Sequence, residues 1–317
     1  MEKNLLKTDQ LRSMTEAKKI DDVFSVLQNA GYGVEGSQLS IDNFELALKG
    51  AEQDLFAEID ELSKEDEIFN IFKYPSDYHN IKVLLKAEAL GTERNDILVG
   101  TGTIKPQEMV RIVNERDKSS LTEYMAEGLE EAIDTHARTK DPQAIDFILD
   151  KYCFMDIARV ADESGNKFAK GYVALLIDTL NLKTFMRVKK MGQPWTYFAN
   201  VFIPGGNVDQ RSFVNGYDED IKHAAERFAP FDIGEAATKG IESVIEHGTF
   251  TELERMCDNV LMDYVRAAKL KTFGVEPLIA FIVSKQMEIK CLRILLSGKL
   301  ADMEPEAIRE RMRIVYE

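Results

Sequence analysis

At 317 residues, 44% hydrophobic and 30% charged, the chain has the composition of a folded protein of two or three domains, not of a disordered or fibrous one. Its net charge of -15 repels phosphate backbones and anionic headgroups. That excludes nucleic acid as a primary partner and argues against direct lipid insertion. Cys153, Cys257 and Cys291 stand far apart and are odd in number, so they supply neither a disulfide framework nor a zinc spacing, and they suit a reducing cytoplasm.

In chain order, the opening "MEKNLLKTDQLRS" has no apolar core of signal-peptide length. The helical pattern "DDVFSVLQNA" is followed by "GYGVEG" (31–36). These glycines satisfy G-x-G-x-x-G, but they follow a helix and no βαβ unit surrounds them, so Gly31 reads as a helix C-cap and not as part of a dinucleotide site. Residues 78–90, "YHNIKVLLKAEAL", form a helix stopped by Gly91. "NDILVGTGTI" (95–104) and "YFANVFIPGGN" (197–207) are the best strand candidates, yet each ends in glycine-rich turn chemistry and reads as an extended loop or helix end. Residues 145–161, 173–190 and 249–271 carry apolar positions at helical spacing. Pro277 falls in the first turn of a further helix, where its missing N–H is harmless. The longest apolar run, "PLIAFIV" (277–283), is too short to span a bilayer. The fold class is all-α.

Three segments repeat: "DYHNIKVLLKA" (77–87), "DTLNLKTFMRV" (178–188) and "KQMEIKCLRIL" (285–295). Their shared core is Asn80-Ile81-Lys82, Asn181-Leu182-Lys183 and Glu288-Ile289-Lys290. Lys183 and Lys290 lie 107 residues apart, and the same offset carries Met155, Asp156, Arg159 and Ala161 onto Met262, Asp263, Arg266 and Ala268 without a gap. The segments after each Lys-bearing helix, "LVGTGTIKPQEMV" (98–110), "IPGGNVDQRSFV" (203–214) and "LSGKLADMEPEAI" (296–308), are further copies, the third looser. Each repeat therefore reads as helix, Lys-bearing helix, glycine turn, short helix. A period of about one hundred residues suggests three small helical domains, at 1–115, 116–222 and 223–317, and not a stacked solenoid.

The polar residues inside these helices need an explanation. Asp178 and Asn181 share a helix face amid leucines, and Asp77 and Asn80 repeat them. Two readings stand open. The pairs form a buried hydrogen-bond network within each domain, or they line a central polar surface shared by the three. Asp156–Arg159 and Asp263–Arg266 read as helix-face ion pairs.

The triplicated Asn-hydrophobic-Lys helix resembles the C subunit of bacterial and archaeal V-type (A-type) ATPases, a family related to the d subunit of the eukaryotic vacuolar enzyme. The most specific part is "GVEPLIAFIVSKQMEIKCLRILLSGKLADMEPEAIRERM", with "EPLIAF", "EIK", "R-I-L", "GKL" and "IRER" standing in family order. "LLKTDQLRSMTEAKKIDDVFSVLQNAGYG" resembles the family's first helices, so the resemblance spans nearly the whole chain, departing only at the front, where the family's aromatic-rich segment has no counterpart. It implies three V-shaped helical domains about a pseudo-threefold axis, shaped like a funnel. It implies a non-catalytic rotor component, without cofactor, on the cytoplasmic face of the cell membrane. There it would join the central shaft subunits of the soluble ATPase head to the proteolipid ring of the membrane sector, for ATP-linked proton or sodium transport. On this reading Asp77, Asn80, Lys82, Asp178, Asn181, Lys183, Glu288 and Lys290 are structural or interface residues.

No enzyme signature competes. "VGTGT" (99–103) and "PGGN" (204–207) lack the Gly-Lys-Ser/Thr of a phosphate loop. His79, His136, His223 and His247 have no metal-ligand spacing, and none of the 55 carboxylates is singled out as a catalytic dyad. The remaining alternative is a helical interaction scaffold for an unrelated protein partner.

Overall fold

A computed structural model describes residues 5–63, 66–271 and 273–315. Among these the fold is all-α. No strand forms, and a lone bridge between Val34 and Ser37 marks the turn that carries the G-x-G-x-x-G pattern. Among the described residues no helix is long and apolar enough to cross a membrane. Contacts divide the chain into two compact units, Met1–Lys64 with Glu235–Glu317, and Glu65–Gly234.

The first unit joins the two ends of the chain. It holds α1 (Thr8–Glu16), α2 (Ile20–Asn29), α3 (Phe44–Ser63), α12 (Gly234–His247), α13 (Thr251–Arg266), α14 (Glu276–Leu300) and α15 (Pro305–Arg311). Leu11 and Met14 of α1, Val23, Phe24 and Leu27 of α2, and Ala47 and Leu48 of α3 share one core with Ile289, Leu292, Leu295 and Leu296 of α14 and Ile308 of α15. α2 ends as its glycine predicts: Gly31 has φ 89°, its N–H reaches the Gln28 carbonyl, and Tyr32 N–H reaches that of Leu27. These paired bonds satisfy carbonyls that the helix end would otherwise leave bare. Pro277 lies in the first turn of α14, as the sequence implies.

The second unit holds α4 (Asn70–Leu90), α5 (Pro106–Glu115), α6 (Glu123–Thr139), α7 (Pro142–Glu163), α8 (Lys167–Lys190), α9 (Trp195–Val201), α10 (Gln210–Asn215) and α11 (Ile221–Glu226). α7 packs against α4, α6 and α8. Side-chain caps fix several starts: Thr122 for α6, Asp141 for α7, Asn166 for α8 and Asp209 for α10. α4 begins well before residue 78 and carries Pro75 inside it. Its other end is the expected one, with Gly91 left-handed at φ 62°. At the far end of α8 an aromatic cluster forms the core. Phe185 touches Phe198, Phe213, Tyr217 and Phe228 with ring centroids 5.6–5.9 Å apart, mostly edge-on, the favoured geometry for ring quadrupoles.

Both candidate strands are helix ends and loops. Asn95–Ile97 makes a single 3-10 turn, and residues 195–201 are the helix α9. The glycine turn of the third repeat differs from its expectation. Gly298 stays inside α14, and the chain turns at Asp302, which adopts φ 50°. The reason is packing: a Cβ on Gly298 would stand 2.8 Å from Ile308 Cγ1, so this glycine admits α15 against α14.

Candidate functional site

The helical stretches around the first two Lys-bearing segments are buried or half-buried nearly all round, and each hides two polar groups in the protein interior. Asp77, Asn80 and Asn181 are 0% exposed and Asp178 1%. Burial at that depth demands full hydrogen bonding, and one loop supplies it in each repeat. On α4, Asn80 Nδ2 donates to the Val99 carbonyl at 2.8 Å, and Val99 N–H donates back to Oδ1 at 2.9 Å. On α8, Asn181 does the same with Ile203, again at 2.8 and 2.9 Å. The reciprocal pairing fixes which end of each amide is oxygen, since a flipped amide would set N–H against N–H.

The aspartates grip the same loops three residues further out. Asp77 accepts Thr103 N–H at 2.9 Å, Thr103 Oγ1–H at 2.7 Å and Ile104 N–H at 3.0 Å. Asp178 accepts Asn207 N–H at 3.0 Å, Asn207 Nδ2–H at 3.1 Å and Val208 N–H at 3.0 Å. Burial pushes both carboxyls above the usual aspartate range, and these donors pull part of the way back. The two clamps therefore superpose in sequence and in bonding. Each helix holds the loop that follows it, and the loop positions 99, 103 and 104 recur at 203, 207 and 208. The bonds of Asp178 and Asn181 thus close on the loop that follows their own helix.

The third copy is rebuilt. Lys285 stands where Asp178 would recur and Glu288 where Asn181 would. Glu288, 2% exposed, accepts Leu6 N–H, the Tyr32 hydroxyl and Lys285 Nζ, the last at 2.6 Å. Lys285 Nζ also lies 4.5 Å from the centre of the Tyr32 ring, within cation–π range. Burial, followed by the Glu288 charge, drives the Tyr32 hydroxyl far above its ordinary pKa, so it remains a donor. The third clamp thus grips the N-terminal segment in place of a following loop. A cavity of about 570 Å³ opens beside it, lined in part by Leu6, Tyr32, Leu55, Phe281 and Lys285. The Lys285 charge is met by Glu288 at its edge.

The three repeat lysines meet different fates. Lys82 pairs with Asp150 of α7, and Lys86, one turn on, pairs with Asp146 at 2.6 Å. Lys290 pairs with Asp258 of α13 at 2.5 Å. Among the described residues Lys183 makes no ion pair or side-chain hydrogen bond.

Two buried carboxylates with supporting roles carry weaker sequence signals. Asp258, 4% exposed, takes Arg313 Nε at 2.8 Å as well as Lys290. It lies on the buried side of α13, one helical turn from Leu261 and two from Val265. A lone acid at an apolar-face position is the signal that could have found it. Asp156 is 0% exposed: it holds Arg159 at 2.8 Å, receives the Thr122 hydroxyl that also caps α6, and lies 3.4 Å from the Tyr78 hydroxyl. Its repeat partner Asp263 also meets its arginine, Arg266, at 3.2 Å, but at 60% exposure. Only the second of these pairs is an ordinary surface ion pair.

All three cysteines are buried and outside any disulfide, and burial raises the Cys153 and Cys291 thiols, so neither of these two is poised as a nucleophile. Among the described residues no group of three or more His, Cys, Asp or Glu side chains converges as metal ligands. The buried carboxylates and amides described above are consumed in holding backbone or neighbouring side chains, and what the arrangement can do is keep helices and loops in fixed relation.

Comparison with known proteins supplies what the geometry alone cannot name. The family model for the ATP synthase (C/AC39) subunit matches residues 1–311. The C subunit of the V-type sodium ATPase of Enterococcus hirae is 24% identical over 316 residues, covering 100% of this chain and 96% of that protein. The C subunit of the A-type ATP synthase of Methanocaldococcus jannaschii is 21% identical, covering 97% of this chain and 82% of that one. The C subunit of the V-type ATP synthase of Thermus thermophilus is 23% identical, covering 86% and 83%. The chain belongs to the ATP synthase (C/AC39) subunit family, which holds the C subunits of V-type and A-type rotary ATPases.

Proposed function

We propose that this protein is a non-catalytic part of the central rotor, on the cytoplasmic side of the membrane, that couples the shaft of the soluble ATPase head to the proteolipid ring during ATP-linked proton or sodium transport. The observation that carries the reading is the family match across residues 1–311. The interior chemistry supports it. A coupling element has to transmit torque without yielding, and here the loops after α4 and α8 are each tied by five hydrogen bonds to buried side chains of the preceding helix. Displacing such a loop would leave a buried aspartate and asparagine unpaired, a cost of about 1–3 kcal/mol for each group.

The same reading takes the repeats as three domains, 1–115, 116–222 and 223–317, arranged about a pseudo-threefold axis. Asp77, Asn80, Asp178, Asn181 and Glu288 then have a structural role, and the repeat lysines are split between internal pairs and an outward contact.

The test is recovery of the assembled complex from membranes through an affinity tag on this chain. Shaft subunits and proteolipid should elute in fixed ratio with it, and removal of the chain should leave a head that still hydrolyses ATP but no longer pumps ions. Recovery of this chain without any rotary-ATPase subunit would overturn the reading, as would loss of nucleotide hydrolysis by the purified head when only this chain is missing.

A further inference from the structure

Three copies of one lysine invite comparison of what each copy meets. Lys82 finds Asp150 on α7, and Lys290 finds Asp258 on α13, so in two repeats the charge is neutralised within the chain. Lys183 finds no carboxylate among the described residues, although it is half-buried on α8. The repeat explains why. Shifted by the same 107 residues that relate Lys183 to Lys290, Asp258 falls on Lys151 of α7, so a cation stands where the third repeat has its anion. Lys151 likewise makes no ion pair among the described residues.

The surroundings of Lys183 differ from those of its first copy in a second way. Leu176, Leu180 and Lys183 fall on one face of α8 at helical spacing, and all three are half-buried. On α4 the matching positions are Pro75 and His79, both exposed, above Lys82. Where the first repeat is finished with solvated groups and an internal ion pair, the second presents two leucines and an unneutralised ammonium. A partly desolvated lysine without a counter-ion is costly to the isolated chain, and a leucine stripe beside it would gain by being covered.

We propose that the Leu176–Leu180–Lys183 face of α8 is a docking surface for a helix of another protein of the complex bearing an aspartate or glutamate flanked by apolar residues, and that this carboxylate occupies the place that Asp150 and Asp258 fill in the other two repeats. The occupant follows from charge complementarity: the sister copies take a carboxylate at this lysine, and this copy has none of its own to offer. The partner's place within the complex rests on the proposed function, but the chemistry of the contact does not.

The experiment is zero-length carbodiimide coupling of lysine to carboxylate in the complex recovered through this chain, read by peptide mass spectrometry, with Lys183→Glu and Lys183→Arg complexes prepared in parallel. Lys82 and Lys290 should couple to Asp150 and Asp258 within the chain, and Lys183 should couple to a carboxylate of another protein. Lys183→Glu should weaken retention of that protein by about tenfold or more in a salt titration, while Lys183→Arg retains it. Coupling of Lys183 only within its own chain overturns the proposal. So does equal labelling of Lys183 by an amine reagent in the free and assembled states, and so does unchanged retention in Lys183→Glu. A complex without rotary-ATPase subunits would count against the proposed function alone, since an intermolecular link at Lys183 is scored whichever protein carries the carboxylate.

Discussion

A methyl carbon built on Gly206 would stand 2.2 Å from Asp178 Oδ1, so the loop reaches the buried carboxylate only because this residue has no side chain. Gly102 stands in the same relation to Asp77, at 2.1 Å. The two glycines lie 104 residues apart, as do the loop residues on either side of them, and each is followed at once by the two N–H donors that satisfy its aspartate. Sequence, bonding and close approach therefore repeat together.

Gly102→Ala should destabilise the isolated protein by about 1–3 kcal/mol, because the clamp cannot absorb a methyl without moving a loop or a charged group. The control is two residues away in the same loop. Gly100 has nothing within 4 Å of its Cβ position, and its φ is not in the left-handed region. Gly100→Ala should shift stability by no more than about 0.5 kcal/mol, in either direction. Equal urea midpoints for the two variants would show that the approach to Asp77 is not tight.

Asp178→Ala should cost about 1–3 kcal/mol in the isolated protein, since Asn207 and Val208 N–H groups lose their acceptor while remaining shielded. Ser13→Ala, an exposed position on α1, serves as the unaffected comparison. Normal stability in Asp178→Ala would mean that water or a shifted loop replaces the carboxylate, and the clamp would lose its structural role.

How much of this the sequence shows depends on distance along the chain. Asp77, Asn80, Asp178 and Asn181 are legible because a repeat makes a pattern stand out even when no single residue does, and their partners lie 19 to 30 residues away on the next loop. Helix stops at Gly31 and Gly91 are legible because the left-handed cap is a local demand. Glu288 is visible only as a departure from the asparagine of the other copies. Its partner Leu6 is 282 residues distant, and no local pattern announces a bond between the two ends of a chain. Asp258 is obscure for the same reason, its partner Arg313 being 55 residues on. Gly298 misleads because glycine serves both turns and close helix packing, and the sequence alone does not say which.

Burial gives Asp77 a pH signature. Its folded-state pKa is raised, chiefly by desolvation, so the folded protein holds this proton more tightly than the unfolded chain does. The stability contributed by the protonated form is full below the unfolded pKa, about 3.9, and is lost as pH rises through the higher folded value. Asp77→Asn removes the titration. The destabilisation it causes should be greater at pH 4.5 than at pH 7.5, as measured by the difference in urea midpoint from wild type at each pH. A difference that is constant, or that grows towards neutral pH, would remove Asp77 as the titrating group.

The last prediction separates a buried ion pair from an exposed one within the same unit. Arg313 is 5% exposed at the side chain and meets Asp258, 6% exposed, whereas Arg293 and Glu45 meet at 3.0 Å with both side chains 44% exposed. Removing Arg313 leaves Asp258 in the interior with Lys290 as its remaining partner. Complete loss of compensation for a buried charge costs about 3–5 kcal/mol, and the surviving lysine should hold Arg313→Ala to about 1.5–3 kcal/mol, the range for a charged hydrogen bond. Arg293→Ala breaks a solvated pair and should cost less than about 1 kcal/mol. Lys290→Met combined with Arg313→Ala should then exceed the sum of the single effects, because the second loss strips Asp258 of its last cation. Additive midpoints in that double-mutant cycle would mean that Asp258 is reached by water once Arg313 is gone, and the carboxylate would no longer be the shared anchor of α13, α14 and the C-terminal segment.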